Sequence, residues 1–284
     1  MPRLRFGLVS VSTVCRTIYR LRSQFSASRR HTTAFDAASK KGILVSWSSE
    51  LLAAHPADVF TPDSPATPHG VVLFLHGYDG VTLRDNVAYT AGLNRHGLAC
   101  VCPIGPRCWW TDRVHVPFDA HVSPLDFLKQ HVPEFCRERW QIEPPKIALC
   151  GVEMGGQGAL QLAYRHARQF PIVVAVSPKI DFETWHGHGT TLDEIFPDRE
   201  ASRQATVILH LHPLNWPKHQ LLLCDPADHY CRDGVETLMT KLSSTGIPFE
   251  VDVQTTHGGF GWTYANHMAP RVVSFLAERL LREV

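Results

Sequence analysis

Short apolar runs alternate with longer amphipathic stretches along most of the chain. The apolar runs predict strands at residues 71–75, 98–103, 146–150, 172–176, 221–224 and 249–254. Apolar residues at helical spacing predict helices at residues 87–96, 124–140, 158–166, 234–245 and 269–281, with a kink or restart of the second helix at Pro133. This alternation is typical of an α/β fold, in which a mostly parallel, doubly wound sheet carries helices on both faces.

Residues 181–219 interrupt the alternation. They are rich in Gly, His, Pro and charged residues, and they lie between two predicted strands. Ligands of such sheets bind at the carboxyl ends of the strands. The segment is therefore predicted to be either a small cap insertion over that edge or an ordinary long connection.

Composition narrows the function classes. Of the 284 residues, 44% are hydrophobic and 19% are charged, which is typical of a globular protein, and the net charge of +1 argues against a nucleic-acid partner. No run of 18 apolar residues exists, so we predict no transmembrane segment. The 17 histidines lack a known zinc spacing, and no glycine-rich phosphate loop is present, so we predict no metal and no cofactor.

The first 35 residues differ from the rest of the chain. They contain seven Arg and no acidic residue, and they are rich in Ser, which is typical of an organellar transit peptide. A disordered extension or a wrongly assigned start codon explains them equally well. We predict a basic N-terminal extension over residues 1–40 and one domain over residues 41–284. The location is then the cytoplasm, or an organellar matrix if the extension is a transit peptide.

The eight cysteines form no C-x-x-C pair, and several lie in or beside the predicted strands, for example Cys100, Cys102, Cys150 and Cys224. Free cysteine behaves there as a small buried hydrophobe. We therefore expect free thiols and a reducing compartment.

Candidate chemistry lies in the turn after the strand at 146–150. Residues 151–156 read GVEMGG and connect this strand to a helix, which is the shape of the G-x-S-x-G nucleophile elbow. Its central residue is Glu153 instead of Ser. A second motif, FLHGY at residues 74–78, ends another predicted strand.

The order and spacing of the motifs resemble the esterase branch of the α/β-hydrolase superfamily, which includes esterase D and S-formylglutathione hydrolase-like enzymes. The resemblance covers about residues 45–284 and rests on LFLHG (73–77), CWW (108–110), GVEMGGQGAL (151–160), CDPADH (224–229) and GGFGWTY (258–264). It implies the α/β-hydrolase fold, and a triad whose positions are occupied here by Glu153, Asp228 and Phe260. Asp225 fits the acid position less well, because it lies too close to the strand end. The resemblance also implies an oxyanion hole made by the backbone N–H groups of Tyr78 and Met154.

The same resemblance places His76, Trp109 and Trp110 at the substrate cleft, with core packing as the alternative for the two tryptophans. It implies a small-molecule ligand, such as an ester or acyl compound.

Two of the three triad positions carry residues that cannot perform the usual reaction. Phe260 cannot transfer a proton, and attack of the Glu153 carboxylate on an ester would give an anhydride, which is uphill. We expect the Glu153 carboxylate to accept hydrogen bonds from the Tyr78 and Met154 amides instead. The first hypothesis is a protein that has lost ester hydrolysis and binds a small molecule or a partner.

Two alternatives remain open. The second hypothesis is a hydrolase or lyase with an altered mechanism, which uses Glu153 as base or nucleophile with Asp228 and a substitute histidine. His257 lies on the same loop as Phe260 and is the first candidate for that histidine, and His229 and His76 are the others. The third hypothesis is a weak conventional carboxylesterase.

Overall fold

The computed structural model describes residues 46–283, so the predicted extension over residues 1–40 lies outside the described residues. The described chain begins with a hairpin of two antiparallel strands, β1 (Ser46–Leu52) and β2 (His55–Thr61). The sequence analysis did not predict these strands. The hairpin pairs with the rest of the sheet through β2, which runs antiparallel to β4 (Leu98–Pro103).

Within the described residues, eight strands form one sheet in the order β1-β2-β4-β3-β5-β6-β7-β8. The pairings from β4 to β8 are parallel. The remaining strands are β3 (Gly70–Leu75), β5 (Ile147–Val152), β6 (Ile172–Val176), β7 (His219–Leu223) and β8 (Glu250–Asp252). The predicted mostly parallel sheet is therefore confirmed.

Helices cover both faces of the sheet. They are α1 (Val87–Arg95), α2 (Pro124–Trp140), α3 (Met154–Arg165), α4 (Phe182–Trp185), α5 (Leu192–Ile195), α6 (Arg199–Gln204), α7 (Arg232–Ser244) and α8 (Trp262–Leu280), with a 3-10 turn at Val207–His210. Successive residues of β3 point to opposite faces. Leu73 packs in the core with α2 and α3, whereas Val72 and Phe74 pack in the core with α1 and α8. The two cores confirm the doubly wound arrangement.

The helix predicted at residues 124–140 is α2, with the same bounds, and it continues through Pro133 without a restart. The start predicted for the next helix, at residue 158, was wrong. Helix α3 begins at Met154, directly after Glu153, although glycines are poor helix formers. The reason is tertiary: a Cβ on Gly155 would lie 1.9 Å from the carbonyl oxygen of Leu75 in β3, so only glycine lets this helix approach the sheet.

The cysteines of the described part of the chain are buried and free, as predicted. They are Cys100, Cys102, Cys108, Cys136, Cys150, Cys224 and Cys231. No helix among residues 46–283 has the length and apolar character needed to cross a membrane.

Candidate functional site

The carboxyl ends of the parallel strands bring the candidate residues to one edge of the sheet. His76 and Tyr78 follow β3, Glu153 follows β5, Asp225 and Asp228 follow β7, and Phe260 follows β8. The segment 181–219 begins at the same edge, after β6, and contains α4 to α6. The sheet thus gathers loops that are far apart in the chain.

Glu153 lies in a tight turn between β5 and α3. Its backbone has φ 54° and ψ −114°, a left-handed conformation that is unusual for a residue with a side chain. The turn is narrow because a Cβ on Gly151 would lie 2.2 Å from the carbonyl oxygen of Gly155. This geometry holds the Glu153 side chain toward the loop that follows β3.

The Glu153 carboxylate has two partners. Its Oε2 accepts a hydrogen bond from the Tyr78 N–H at 2.9 Å, and its Oε1 lies 2.5 Å from the Lys179 ammonium. The expected hydrogen bond from Met154 is absent from the described contacts, and the Glu153 side chain does not cap α3. The carboxylate pairs with Lys179 instead, and an opposite charge at this distance favours its charged form.

Sequence reasoning missed Lys179. It follows β6, the strand next to β5, and its backbone N–H donates to the carbonyl oxygen of Glu153 at 3.2 Å. One signal was available, because a buried acid at a strand end needs a positive charge nearby and Lys179 is the first charged residue after the neighbouring strand. The sequence alone did not show that the two strands are neighbours.

Three aromatic rings lie near the Lys179 ammonium. Its Nζ lies 4.2 Å from the ring centre of Trp185, 5.4 Å from that of Phe260 and 5.9 Å from that of Tyr78. Trp185 belongs to α4 in the segment 181–219, and Tyr230 contacts the rings of both Trp185 and Phe260. The Glu153 and Lys179 side chains are only 14% and 12% exposed, so the ion pair is largely shielded from solvent.

The two aspartates after β7 stabilise loops. Asp225 accepts hydrogen bonds from the N–H groups of His257 at 2.6 Å and Gly259 at 2.9 Å, so it fixes the loop that carries Phe260. Burial by itself raises the pKa of the Asp225 carboxyl, but its hydrogen bonds outweigh burial and hold the pKa below the ordinary value. Asp228 is fully buried, and its carboxylate accepts hydrogen bonds from the backbone N–H groups of Tyr230 and Cys231.

The histidines considered as substitute bases do not approach the Glu153 carboxylate through any described hydrogen bond. The His257 ring is exposed and stacks on His267 of α8, with 4.1 Å between the ring centres. His229 is exposed as well. Within residues 46–283, no hydrogen bond joins an imidazole to Asp228 or to Glu153. Phe260, in contrast, does lie beside the ion pair, since its ring centre is 5.4 Å from the Lys179 Nζ.

The residues expected at the cleft are buried. His76 uses both ring nitrogens inside the protein, since Nδ1 pairs with the Gly77 carbonyl oxygen at 2.8 Å and Nε2 accepts the Gly105 N–H at 3.2 Å. Burial lowers the pKa of His76 below 6.5. Trp109 and Trp110 have no exposed surface, and Gly158 packs directly on Trp110. In this conformation the two indoles pack in the core and present no surface to a ligand.

His210 and His212, which are spaced like two ligands on one face of a strand, lie outside the named strands. His210 ends the 3-10 turn, where its ring lies 2.9 Å from the Arg165 guanidinium, and His212 forms an isolated bridge with Asn215. Among the described side chains, no group of three or more His, Cys, Asp or Glu is arranged to hold a metal ion.

The model of the family described as "Putative esterase" matches residues 56–206, which is more than half of the chain. The structure also resembles solved structures. An S-formylglutathione hydrolase from Agrobacterium tumefaciens matches with a TM-score of 0.67 and 17% identity, over 83% of this chain and 94% of that protein. A ferulic acid esterase matches with a TM-score of 0.65 and 15% identity, over 83% of this chain and 98% of that protein.

An S-formylglutathione hydrolase from Staphylococcus aureus matches with a TM-score of 0.64 and 13% identity, over 82% of this chain and 99% of that protein. No curated protein sequence matches the chain. At these identities the structural matches show the fold, and the family model shows the relationship. The chain belongs to this esterase family, and its fold is that of the α/β-hydrolases.

Proposed function

We propose that this protein does not hydrolyse esters and acts by binding a small molecule or a partner at the pocket around Glu153. The observation that carries the proposal is the pair between Glu153 and Lys179. This pair occupies the Tyr78 N–H, which the family resemblance assigns to the oxyanion hole. A substrate carbonyl oxygen would have to displace a charged acceptor from that N–H, and charged acceptors bind amides more strongly than neutral ones do.

The remaining machinery also argues against acyl transfer. Ester hydrolysis by this fold needs a hydroxyl nucleophile and a base that moves its proton. Glu153 stands at the nucleophile position, and its charge is already paired with Lys179. Phe260 stands at the histidine position, and its ring can neither accept nor donate a proton in this reaction. We expect both steps of the usual cycle to fail.

The altered mechanism with Glu153, Asp228 and His257 has less support. It requires an imidazole that contacts both carboxylates. The His257 ring stacks on His267 at the surface, and Asp228 caps backbone amides after β7. A conventional esterase has the least support, because it would need a nucleophile at position 153.

The test compares the full-length wild type with Glu153→Ser/Phe260→His on a panel of short-chain p-nitrophenyl esters. A third protein adds Lys179→Ala, because Lys179 beside a serine would be left without its counter-charge. We expect wild-type rates equal to buffer, and hydrolysis above buffer in the third protein.

Wild-type hydrolysis that is lost on Glu153→Ala would refute the proposal. The altered mechanism would gain support if His257→Asn removed the same activity. His121→Asn is the matched control, since His121 is exposed on a different loop and is no candidate for the substitute histidine.

A further inference from the structure

The Lys179 ammonium lies in a compact arrangement of one carboxylate and three aromatic rings. We call this arrangement the cation box and define it by Glu153, Tyr78, Trp185 and Phe260. The carboxylate is 2.5 Å from Nζ, and the three ring centres are between 4.2 and 5.9 Å from it. Rings within about 6 Å of a cation attract it through the negative faces of their π systems.

The box suits a methylated ammonium better than a primary one. A lysine ammonium has three N–H donors. Within the described residues its one ion-pair partner is Glu153, and three ring centres lie 4.2 to 5.9 Å from it. A methylated nitrogen has fewer donors to satisfy, and its methyl groups make apolar contact with the rings while the positive charge is kept.

Charge restricts what can replace Lys179. Glu153 is 14% exposed, and apart from Lys179 its carboxylate has one described donor, the Tyr78 N–H. A neutral or anionic ligand in place of the ammonium would leave a largely buried carboxylate unpaired, which is strongly unfavourable. A ligand that enters the box must therefore carry a positive charge.

The box has a route to solvent, and Lys179 has the freedom to leave it. Phe260 is 38% exposed, and Tyr230, which contacts it, is 64% exposed. The Lys179 backbone is held by its hydrogen bond to Glu153, but its four-carbon stem has several rotatable bonds. Exchange therefore needs a rotation of the Lys179 side chain and no change in the fold.

We propose that the cation box binds the methylated ammonium group of a small-molecule ligand, with Lys179 as the internal cation that the ligand displaces. This inference rests on the proposed function, because it names the ligand class of the same pocket. Lys179 competes with the ligand for the box. If Lys179 occupies the box about nine-tenths of the time, its removal raises the apparent affinity about tenfold.

The experiment measures choline binding to the full-length protein by isothermal titration calorimetry. The proteins are wild type, Lys179→Met, Lys179→Met/Glu153→Gln and Lys179→Met/Trp185→Leu. Lys218→Met is the matched control, because Lys218 pairs with the buried Glu283 carboxylate at 3.1 Å, and no ring contact is described for it. The probe control is the neutral carbon isostere of choline, in which a carbon atom replaces the quaternary nitrogen.

We expect Lys179→Met to bind choline about tenfold more tightly than wild type, and both double variants to lose this gain. We expect Lys218→Met to behave as wild type, and the neutral isostere not to bind. Equal choline affinity of wild type and Lys179→Met, or equal binding of choline and its isostere, would overturn the inference. If Lys179→Met does not fold, the test uses the wild-type protein alone. Tighter binding of choline than of the isostere then supports the inference, and the absence of that difference overturns it.

Failure of this inference is distinguishable from failure of the proposed function. Wild-type ester hydrolysis that depends on Glu153 refutes the proposed function, whatever choline does. Absence of choline binding in a protein without ester hydrolysis refutes only the ligand class.

Discussion

Replacing Lys179 alone should destabilise the folded protein more than replacing Lys179 and Glu153 together. Lys179→Met leaves the Glu153 carboxylate largely buried, with the Tyr78 N–H as its described partner. The double variant Lys179→Met/Glu153→Gln removes both charges and keeps a side chain that can accept the same N–H. Breaking a buried pair by removing one member is costly, whereas removing both is often close to neutral.

The magnitude follows from the burial of the pair. Two unit charges about 4 Å apart attract by about 4 kcal/mol at an effective dielectric constant of about 20. Desolvation of side chains that are 14% and 12% exposed cancels part of this attraction. We expect Lys179→Met to lower the free energy of unfolding by about 3 kcal/mol, and the double-mutant cycle to give a coupling of about 3 kcal/mol, so that the double variant costs about as much as Glu153→Gln alone.

The assay is urea unfolding of wild type, both single variants and the double variant, followed by tryptophan fluorescence and far-UV circular dichroism. Arg203→Met is the control for a surface pair, because Arg203 and Glu200 are 40% and 63% exposed, and it should cost less than about 1 kcal/mol. If the free energy of unfolding falls with urea concentration at the same slope in all variants, the variants differ in stability and not in the surface exposed on unfolding. A coupling below about 0.5 kcal/mol, as for exposed pairs, would refute the account of a shielded pair.

Two further predictions concern groups with shifted pKa values. Asp225→Asn should lower the free energy of unfolding by about 2 kcal/mol at neutral pH, because it weakens the hydrogen bonds that fix the loop of Phe260. The pKa of Asp225 is lowered in the folded state, so its contribution is present above the unfolded value and is lost as pH falls below about 4. Urea unfolding across this range checks the loss, and a difference that stays constant would contradict it. The pKa of His76 is also lowered, so the unfolded state binds more protons and stability should fall as pH drops below 6.5. His76→Gln should reduce that pH dependence, and an unchanged pH profile would contradict burial of a neutral imidazole.

The strands were predicted correctly where a local run of apolar residues indicates burial. The predicted runs at 98–103 and 172–176 agree with β4 and β6 at both ends. These strands are buried on both faces, so every residue in them is apolar or small. The hairpin of β1 and β2 was not predicted, because its residues mix polar and apolar positions, and the strands form by pairing with each other and with β4.

The candidate site also contains residues that the sequence motifs identify and residues whose position only the structure shows. Glu153 and Phe260 were singled out from their places in motifs, and in the structure both lie beside Lys179, together with Tyr78. Trp109 and Trp110 stand in a motif as well, yet they lie in the core, since a motif does not indicate which way an aromatic ring points. His257 lies close to Phe260 in the chain, but its ring is directed to α8.

The sequence by itself determined the fold class and the buried strands, and it gave the prediction, which rests on the family resemblance, that Glu153 and Phe260 stand at triad positions. These properties depend on the pattern of residues along the chain and on single side chains. Only the tertiary structure decided which charges and rings meet. Tyr78, Glu153, Lys179 and Phe260 lie far apart in the sequence, and they come together because parallel strands place the loops at their carboxyl ends side by side. A buried acid requires a counter-charge, but its identity depends on which strand is the neighbour.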